Sequence, residues 1–337
     1  ENIIKLILVI IFLYLGWGIY GIAMAYLISI FLSFLLAVIF FQQKVFPVFT
    51  KKIKANIINP ELLAYSWPLL LSSIAILIFN WTDTLMIGIF RDAAEVGLYN
   101  TAAPTANLLS ILTKSITAIL LPVTAALYLN HKKDELRATY RTVTRWILLA
   151  NSFPLILLIV FPKEILSLFF GAPYGPAYTA LVTLSLFFFI SSLADIPRDI
   201  LLMLKDTKQI FAIVLTGVIA NVILNFILIP HYGFTGAALA TGISYLITTV
   251  LFFAGAYRQT SISLFDATAI KIIIITLLVT FGALAVKNSL AATDWRTLSL
   301  LAGSAMIVQG LFIFFTGCIK REEWTIFRTA LQKVKDM

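Results

Sequence analysis

Long apolar stretches separated by short polar ones dominate the chain. Runs of membrane-spanning length fall near 19–41, 62–90, 97–128, 146–170, 177–197, 209–229, 234–257, 269–287 and 297–319, after a shorter run at 3–15. A transmembrane helix needs about 20 apolar residues, whereas a strand of a membrane barrel alternates apolar and polar positions. The pattern therefore predicts an all-α, polytopic membrane protein of about ten spans, the first partial, because a helix satisfies its own backbone groups in lipid. The first run is already under way at Ile3, with no n-region or cleavage site of a signal peptide. It reads as a helix whose beginning is missing.

The polar connections alternate in charge. Lys44, Lys51, Lys52 and Lys54 follow the second run, and Lys132, Lys133, Arg137, Arg141 and Arg145 precede the fifth. Arg198, Lys205, Lys208, Arg258 and Lys271 occupy the next loops on that side, and Lys320, Arg321, Arg328, Lys333 and Lys335 end the chain. The other side holds Arg91, Lys163, Lys287 and Arg296. Positive charge collects in cytoplasmic loops, so the richer side and the C-terminus are expected in the cytoplasm, in a multi-pass protein of the cell (plasma) membrane. In the tail, Trp324, Phe327, Leu331 and Val334 recur at helical spacing between basic residues, as in an amphipathic helix lying on the cytoplasmic leaflet.

Composition agrees with the pattern: 61% hydrophobic, 12% charged, mean hydropathy +0.99, against about a quarter charged in soluble domains. The net charge of +9 is accounted for by the cytoplasmic loops and needs no nucleic acid. One cysteine, Cys318, excludes a disulfide framework, and two histidines in different loops, His131 and His231, make a metal or acid–base centre unexpected. No residue set suggests catalysis or a cofactor, so the chain reads as a non-enzyme.

An internal repeat shapes the domain reading. Gly18–Ser29 aligns with Gly233–Ser244 at an offset of 215, with Gly18/Gly233, Gly21/Gly236, Ala23/Ala238, Ala25/Ala240, Ile28/Ile243 and Ser29/Ser244 identical. Small residues at that spacing also suit close helix packing alone, but both copies open a helix entering from the outside, which favours a parallel duplication. Residues 1–41 then close an N-terminal bundle with a partial fifth and a full sixth helix. A basic cytoplasmic connector follows at 42–61, a C-terminal six-helix bundle at 62–257, two additional membrane helices at 258–319 and the tail at 320–337. The complete protein is expected to have fourteen helices. Gly16-Trp-Gly-Ile-Tyr-Gly21 spells G-x-G-x-x-G but follows a membrane helix rather than a strand, so it carries no dinucleotide reading.

Asp83-Thr-Leu-Met-Ile-Gly88, followed by Val96-Gly-Leu-Tyr-Asn-Thr-Ala102, resembles the start of the second bundle in prokaryotic polysaccharide-biosynthesis flippases. These are the O-antigen-type lipid-linked oligosaccharide translocases of the multidrug/oligosaccharidyl-lipid/polysaccharide exporter superfamily. Asn225-Phe-Ile-Leu-Ile-Pro230 and Tyr232–Thr241 resemble that family's eleventh-to-twelfth helix junction. The resemblance covers roughly 1–320 and implies two pseudo-symmetric six-helix bundles around a central cavity, alternating access and two extra C-terminal helices. The first four helices of the family pattern are missing here.

Polar residues within the spans supply the candidate site. Lys114 lies about 3 Å from the midpoint of its run and Asp83 about 10 Å outward of its own, so a direct pair is not expected. Asn100, Asn107 and Lys114 recur every seven residues, with Pro104, Ser110 and Thr117 between them. Ser73, Asn80 and Asp83 share a face of the third run, and Gly217, Asn221 and Asn225 one of the seventh. A single Asn in a span usually bonds a neighbouring helix. Three aligned stripes, one carrying a cation, favour a wet path, so Lys114, Asn107, Asn100, Asp83, Asn80, Asn221 and Asn225 are the candidate substrate-binding residues. Asp195, Arg198 and Asp199 read either as a surface charge cluster or as an inner gate.

The expected function is translocation of a polyprenyl-(pyro)phosphate-linked oligosaccharide to the outer leaflet. Its partners would be that substrate, membrane lipids and a coupling cation, proton or sodium. A cation-coupled multidrug exporter would favour acids in the cavity. A non-transporting scaffold or glycan polymerase subunit would pack Lys114 against protein oxygens.

Overall fold

The computed structural model describes residues 2–45, 60–118, 120–290, 295–315 and 317. Most of the expected basic connector (46–59) and the amphipathic tail (320–337) lie outside them. All regular structure among the described residues is helical, and seven helical segments are long and apolar enough to cross a membrane. The protein is a multi-pass membrane protein. The chain divides into two compact units, 1–59 and 60–337.

The first unit is a helical hairpin, α1 (Asn2–Tyr14) and α2 (Gly18–Phe40), continued by a π-helical turn at Phe41–Val45. Gly16 and Gly18 take positive φ at the corner, and Gly21 lies so close to Phe12 that a Cβ there would come within 2.8 Å. Gly21, Ala25 and Ser29 are the buried positions of α2.

The second unit runs α3 (Pro60–Phe90), α4 (Ala93–Ala106), α5 (Leu108–Thr117), α6 (Leu120–Leu129), α7 (Lys133–Val160) and α8 (Pro162–Phe170). A 3₁₀ turn at Ala172–Ala177 leads into α9 (Tyr178–Ser191), and a second at Ser192–Ala194 into α10 (Asp195–Met203). Then follow α11 (Thr207–Thr260), α12 (Ala267–Leu290) and α13 (Trp295–Phe315). Helix starts carry their signals: the Asp92 and Asp206 side chains accept from Glu95 N at 2.9 Å and Gln209 N at 3.1 Å.

Four expected runs resolve differently. The 97–128 run is three helices, broken at Asn107 and again after Thr117. The fifth run begins at Lys133 rather than near 146, because the charges of its first turns hide a helix that is amphipathic there. The runs at 209–229 and 234–257 form one element with a kink at Gly233 (φ 57°, ψ −141°). Its arms fold back on each other: Asn221 bonds Thr241, and a Cβ at Gly236 would meet Leu228 O at 2.4 Å.

This kink repeats the geometry of the first unit. Gly18 and Gly233 both take positive φ, and Gly236, Ala240 and Ser244 are buried as Gly21, Ala25 and Ser29 are. The offset of 215 thus relates two hairpins with the same corner and the same inner face. In lipid, apolar burial does not drive helices together, so close approach at small residues and interhelical hydrogen bonds must.

Candidate functional site

The segment α4–α5–α6 sets the site. Pro104 has no N–H to give to Asn100 and its ring crowds that carbonyl, and three residues later the helix breaks. Asn107 closes α4 and opens α5. The Ser110 hydroxyl bonds both the Asn107 carbonyl (2.7 Å) and its side-chain oxygen. One face of α5, Leu109, Thr113 and Thr117, is buried, and Asn151 of α7 donates to the Thr113 hydroxyl at 2.8 Å. That bond helps fix the rotation of α5 and turns Asn107, Ser110 and Lys114 into a cavity.

The cavity holds about 210 Å³. Besides the α5 residues, Ser191, Ser192, Asp195 and Arg198 line it from the α9–α10 junction. Phe79, Phe188 and Tyr245 form an aromatic wall, with the Tyr245 ring edge-on to Phe79 at 5.0 Å and to Phe188 at 5.3 Å. Lys114 and Arg198 are the cations acting on Asp195, and Asp199 faces Asp195 and Arg198. Among the described residues, the Lys114 ammonium makes no hydrogen bond and no ion pair within 4.0 Å.

Asp83 lies elsewhere, 4% exposed, in a closed polar knot. Tyr99 and Thr241 donate to one carboxylate oxygen, while Asn221 (3.1 Å) and Asn225 (2.7 Å) donate to the other. Four donors converging on two oxygens is the set an ionised carboxylate accepts. The knot and the cavity share α3 and both arms of α11 at a one-turn offset. Asp83 follows Phe79, Asn221 follows Gly217, and Thr241 precedes Tyr245, each by four residues or about 6 Å along the axis.

The expected residues therefore sort into separate places. Lys114 and Asn107 share the cavity with Asp195 and Arg198, which read separately in the sequence as a surface charge cluster or an inner gate. Asp83, Asn221 and Asn225 form the knot and not the cavity wall, because a carboxylate taken out of water needs donors and these helices supply them. Asn80 and Asn100 are exposed outside the cavity lining, Asn100 accepting from Thr84 at 3.1 Å. Asp199 stands one turn behind Asp195. Tyr99, Thr241, Tyr245 and Asn151 escaped notice because a lone hydroxyl or amide in an apolar span carries no distinctive signal. Tyr99 and Thr241 nevertheless sit inside the two motif segments.

A model of the polysaccharide biosynthesis protein family matches residues 1–178, more than half of the chain. The chain belongs to this family. The matched stretch holds Phe79, Asn107, Ser110 and Lys114 of the cavity and Asp83 and Tyr99 of the knot, while the residues contributed by α9, α10 and α11 lie beyond it. Two relatives from Haloferax volcanii are named as a probable low-salt glycan biosynthesis flippase, Agl15, and a probable flippase, AglR, each 28% identical over 193 and 198 residues. An uncharacterized membrane protein of Methanocaldococcus jannaschii is 28% identical over 208 residues. These alignments take in 57%, 56% and 61% of this chain but only 40%, 39% and 41% of the relatives. Among solved structures, the lipid II flippase MurJ in an inward closed conformation superposes with a TM-score of 0.71 over 93% of this chain and 66% of its own, at 18% identity. The fold of this family member is thus MurJ-like.

Proposed function

We propose that this protein works as a flippase, carrying a polyprenyl-(pyro)phosphate-linked oligosaccharide from the cytoplasmic to the outer leaflet by alternating access. The observation that carries the reading is Lys114. Its ammonium is held on the polar side of a broken membrane helix, in a small cavity, with Arg198 as a second cation. An anionic headgroup answers that chemistry, Asn107 and Ser110 add hydrogen-bonding groups, and the names of the relatives point to the same class of substrate. At about 210 Å³ the cavity is below the ~300–1,000 Å³ of pockets that enclose drug-sized ligands. It suits a headgroup, with the glycan and the lipid tail outside it.

The basic loops support a cytoplasmic position for the C-terminal side. A coupling cation, proton or sodium, belongs to this reading: the buried Asp83 carboxylate is the acid that would serve it, and Asn225 Oδ1 in the same knot has no hydrogen-bond partner among the described residues. Asp195 in the cavity wall is the observation that favours a cation-coupled exporter instead, but two cations against one acid favour the anion. A scaffold would hold the Lys114 ammonium on protein oxygens, and among the described residues it has none within 4.0 Å. The chain is read as a transporter and not an enzyme.

The test is complementation of a flippase-deficient host, scored by surface glycan. Wild type and Lys114→Arg should restore it, and Lys114→Ala and Lys114→Gln should reduce it at least about tenfold, the order of one lost charge-assisted contact. Full glycan production with Lys114→Ala would remove Lys114 from the mechanism.

A further inference from the structure

Asp195 is the group the flippase reading does not use, and in one respect it opposes that reading. A wall built solely to hold a phosphate would have no use for a carboxylate among its cations. Yet Asp195 lines the same cavity as Lys114 and Arg198 and feels both of them. It is half-buried, whereas Lys114 and Arg198 are exposed. Among the described residues it closes no ion pair with either cation within 4.0 Å, so the acid is near both cations but locked to neither. Charged groups reach the cavity from α5 (Lys114) and α10 (Asp195, Arg198, with Asp199 one turn behind), and the Tyr245 phenol from α11.

The backbone at Asp195 is irregular. α9 gives way to a 3₁₀ turn at Ser192–Ala194, and α10 starts at Asp195 itself. A 3₁₀ turn within a long helical segment commonly marks a hinge, and this one carries Ser192 and Asp195 on the cavity side.

We propose that Asp195 is an internal counterion that the anionic headgroup displaces and that returns to expel it. This rests on the flippase reading. In the empty site Asp195 offsets part of the positive charge of Lys114 and Arg198, Asp199 acting on Arg198 from one turn behind, which lowers the cost of holding two cations within a membrane segment. An arriving (pyro)phosphate takes over both cations and repels the carboxylate, which moves away about the 192–194 turn. On the far side the carboxylate competes for the cations again and lowers affinity. A carrier must bind strongly enough to load and weakly enough to release, and Asp195 sets that balance. Asp195 is therefore a specificity and release residue rather than a gate lock.

The experiment measures inorganic pyrophosphate binding to the purified protein by calorimetry, beside flipping of a polyprenyl pyrophosphate in proteoliposomes. Asp195→Asn should bind pyrophosphate at least about tenfold more tightly, since one like charge within about 12 Å of the anion at an effective dielectric of about 20 is worth that factor or more, and should flip more slowly. Lys114→Gln should weaken binding in both backgrounds. If wild type binds pyrophosphate and Lys114→Gln weakens it, but folded Asp195→Asn binds no more tightly, the counterion role is overturned and the flippase reading stands. If wild type binds no pyrophosphate and Lys114→Gln changes nothing, the anionic-substrate reading itself fails. Thermal unfolding checks the fold of each variant, and Asp195→Ser supplies the same contrast if Asp195→Asn does not fold.

Discussion

A charged side chain near the middle of a membrane helix costs about 2.5–3.5 kcal/mol on insertion scales, and this chain meets that cost in two ways. Asp83 is supplied with four donors, one from α4 and three from the two arms of α11. Lys114 is instead left at a cavity wall, with no ion pair within 4.0 Å among the described residues. The two should therefore respond differently to substitution. Asp83→Asn brings amide hydrogens into a ring of donors and leaves at least one buried group unsatisfied, so thermal unfolding in detergent should show a loss of about 1–3 kcal/mol. Lys114→Gln removes no internal partner and should unfold within about 0.5 kcal/mol of wild type while transport falls. Equal loss of stability in both would mean that Lys114 is structural. The lysine was conspicuous in the sequence because a cation in an apolar run has one meaning at any rotation of the helix. The role of Asp83 was not, because donors 138 to 158 residues away complete its environment.

Among the elements, the sharp corner of α11 matters most. Gly233 takes φ 57° and ψ −141°, a region closed to side chains, and a Cβ there would lie 2.2 Å from Glu95 Oε2. Glu95 needs that place: its carboxylate accepts from Phe234 N at 2.9 Å, at the start of the second arm. Arg91 closes the end of the first arm by donating to the carbonyls of Ile229 (3.2 Å) and Pro230 (2.8 Å). One short stretch at the α3–α4 junction thus caps both sides of the corner. Gly233→Ala should cost about 1–3 kcal/mol in backbone strain alone and more from the clash, visible as a lower unfolding temperature and poor yield. Glu95→Gln keeps an acceptor and should be much milder. If the two behave alike, the glycine is not what the corner requires.

Across the molecule, α7 and α12 lie parallel and are fastened at both ends. Arg145, 3% exposed, meets Asp266 at 2.7 Å, and Lys287 meets Glu164 and the Val160 carbonyl, each at 2.7 Å. Asp266 also receives Ala269 N at the start of α12. Asp266→Ala should cost about 3–5 kcal/mol, because it strands a buried guanidinium. Breaking the exposed Lys132–Glu135 pair should cost under about 1 kcal/mol, and chemical denaturation of the two variants separates the cases. Hydrophobic runs and loop charges were enough to determine an all-helical membrane protein; the 215-residue repeat pointed to two hairpins with the same glycine corner, and the cation in an apolar run singled out Lys114 as a candidate. Those features depend on composition and spacing along the chain, which lipid reads directly. Tertiary structure alone decided that Asp195 and Arg198 share a cavity with Lys114, that Asp83 is enclosed with Asn221 and Asn225, and that Asn151 turns α5 toward the cavity. Each of these depends on the rotation of a helix about its axis, and that is set by neighbours distant in sequence.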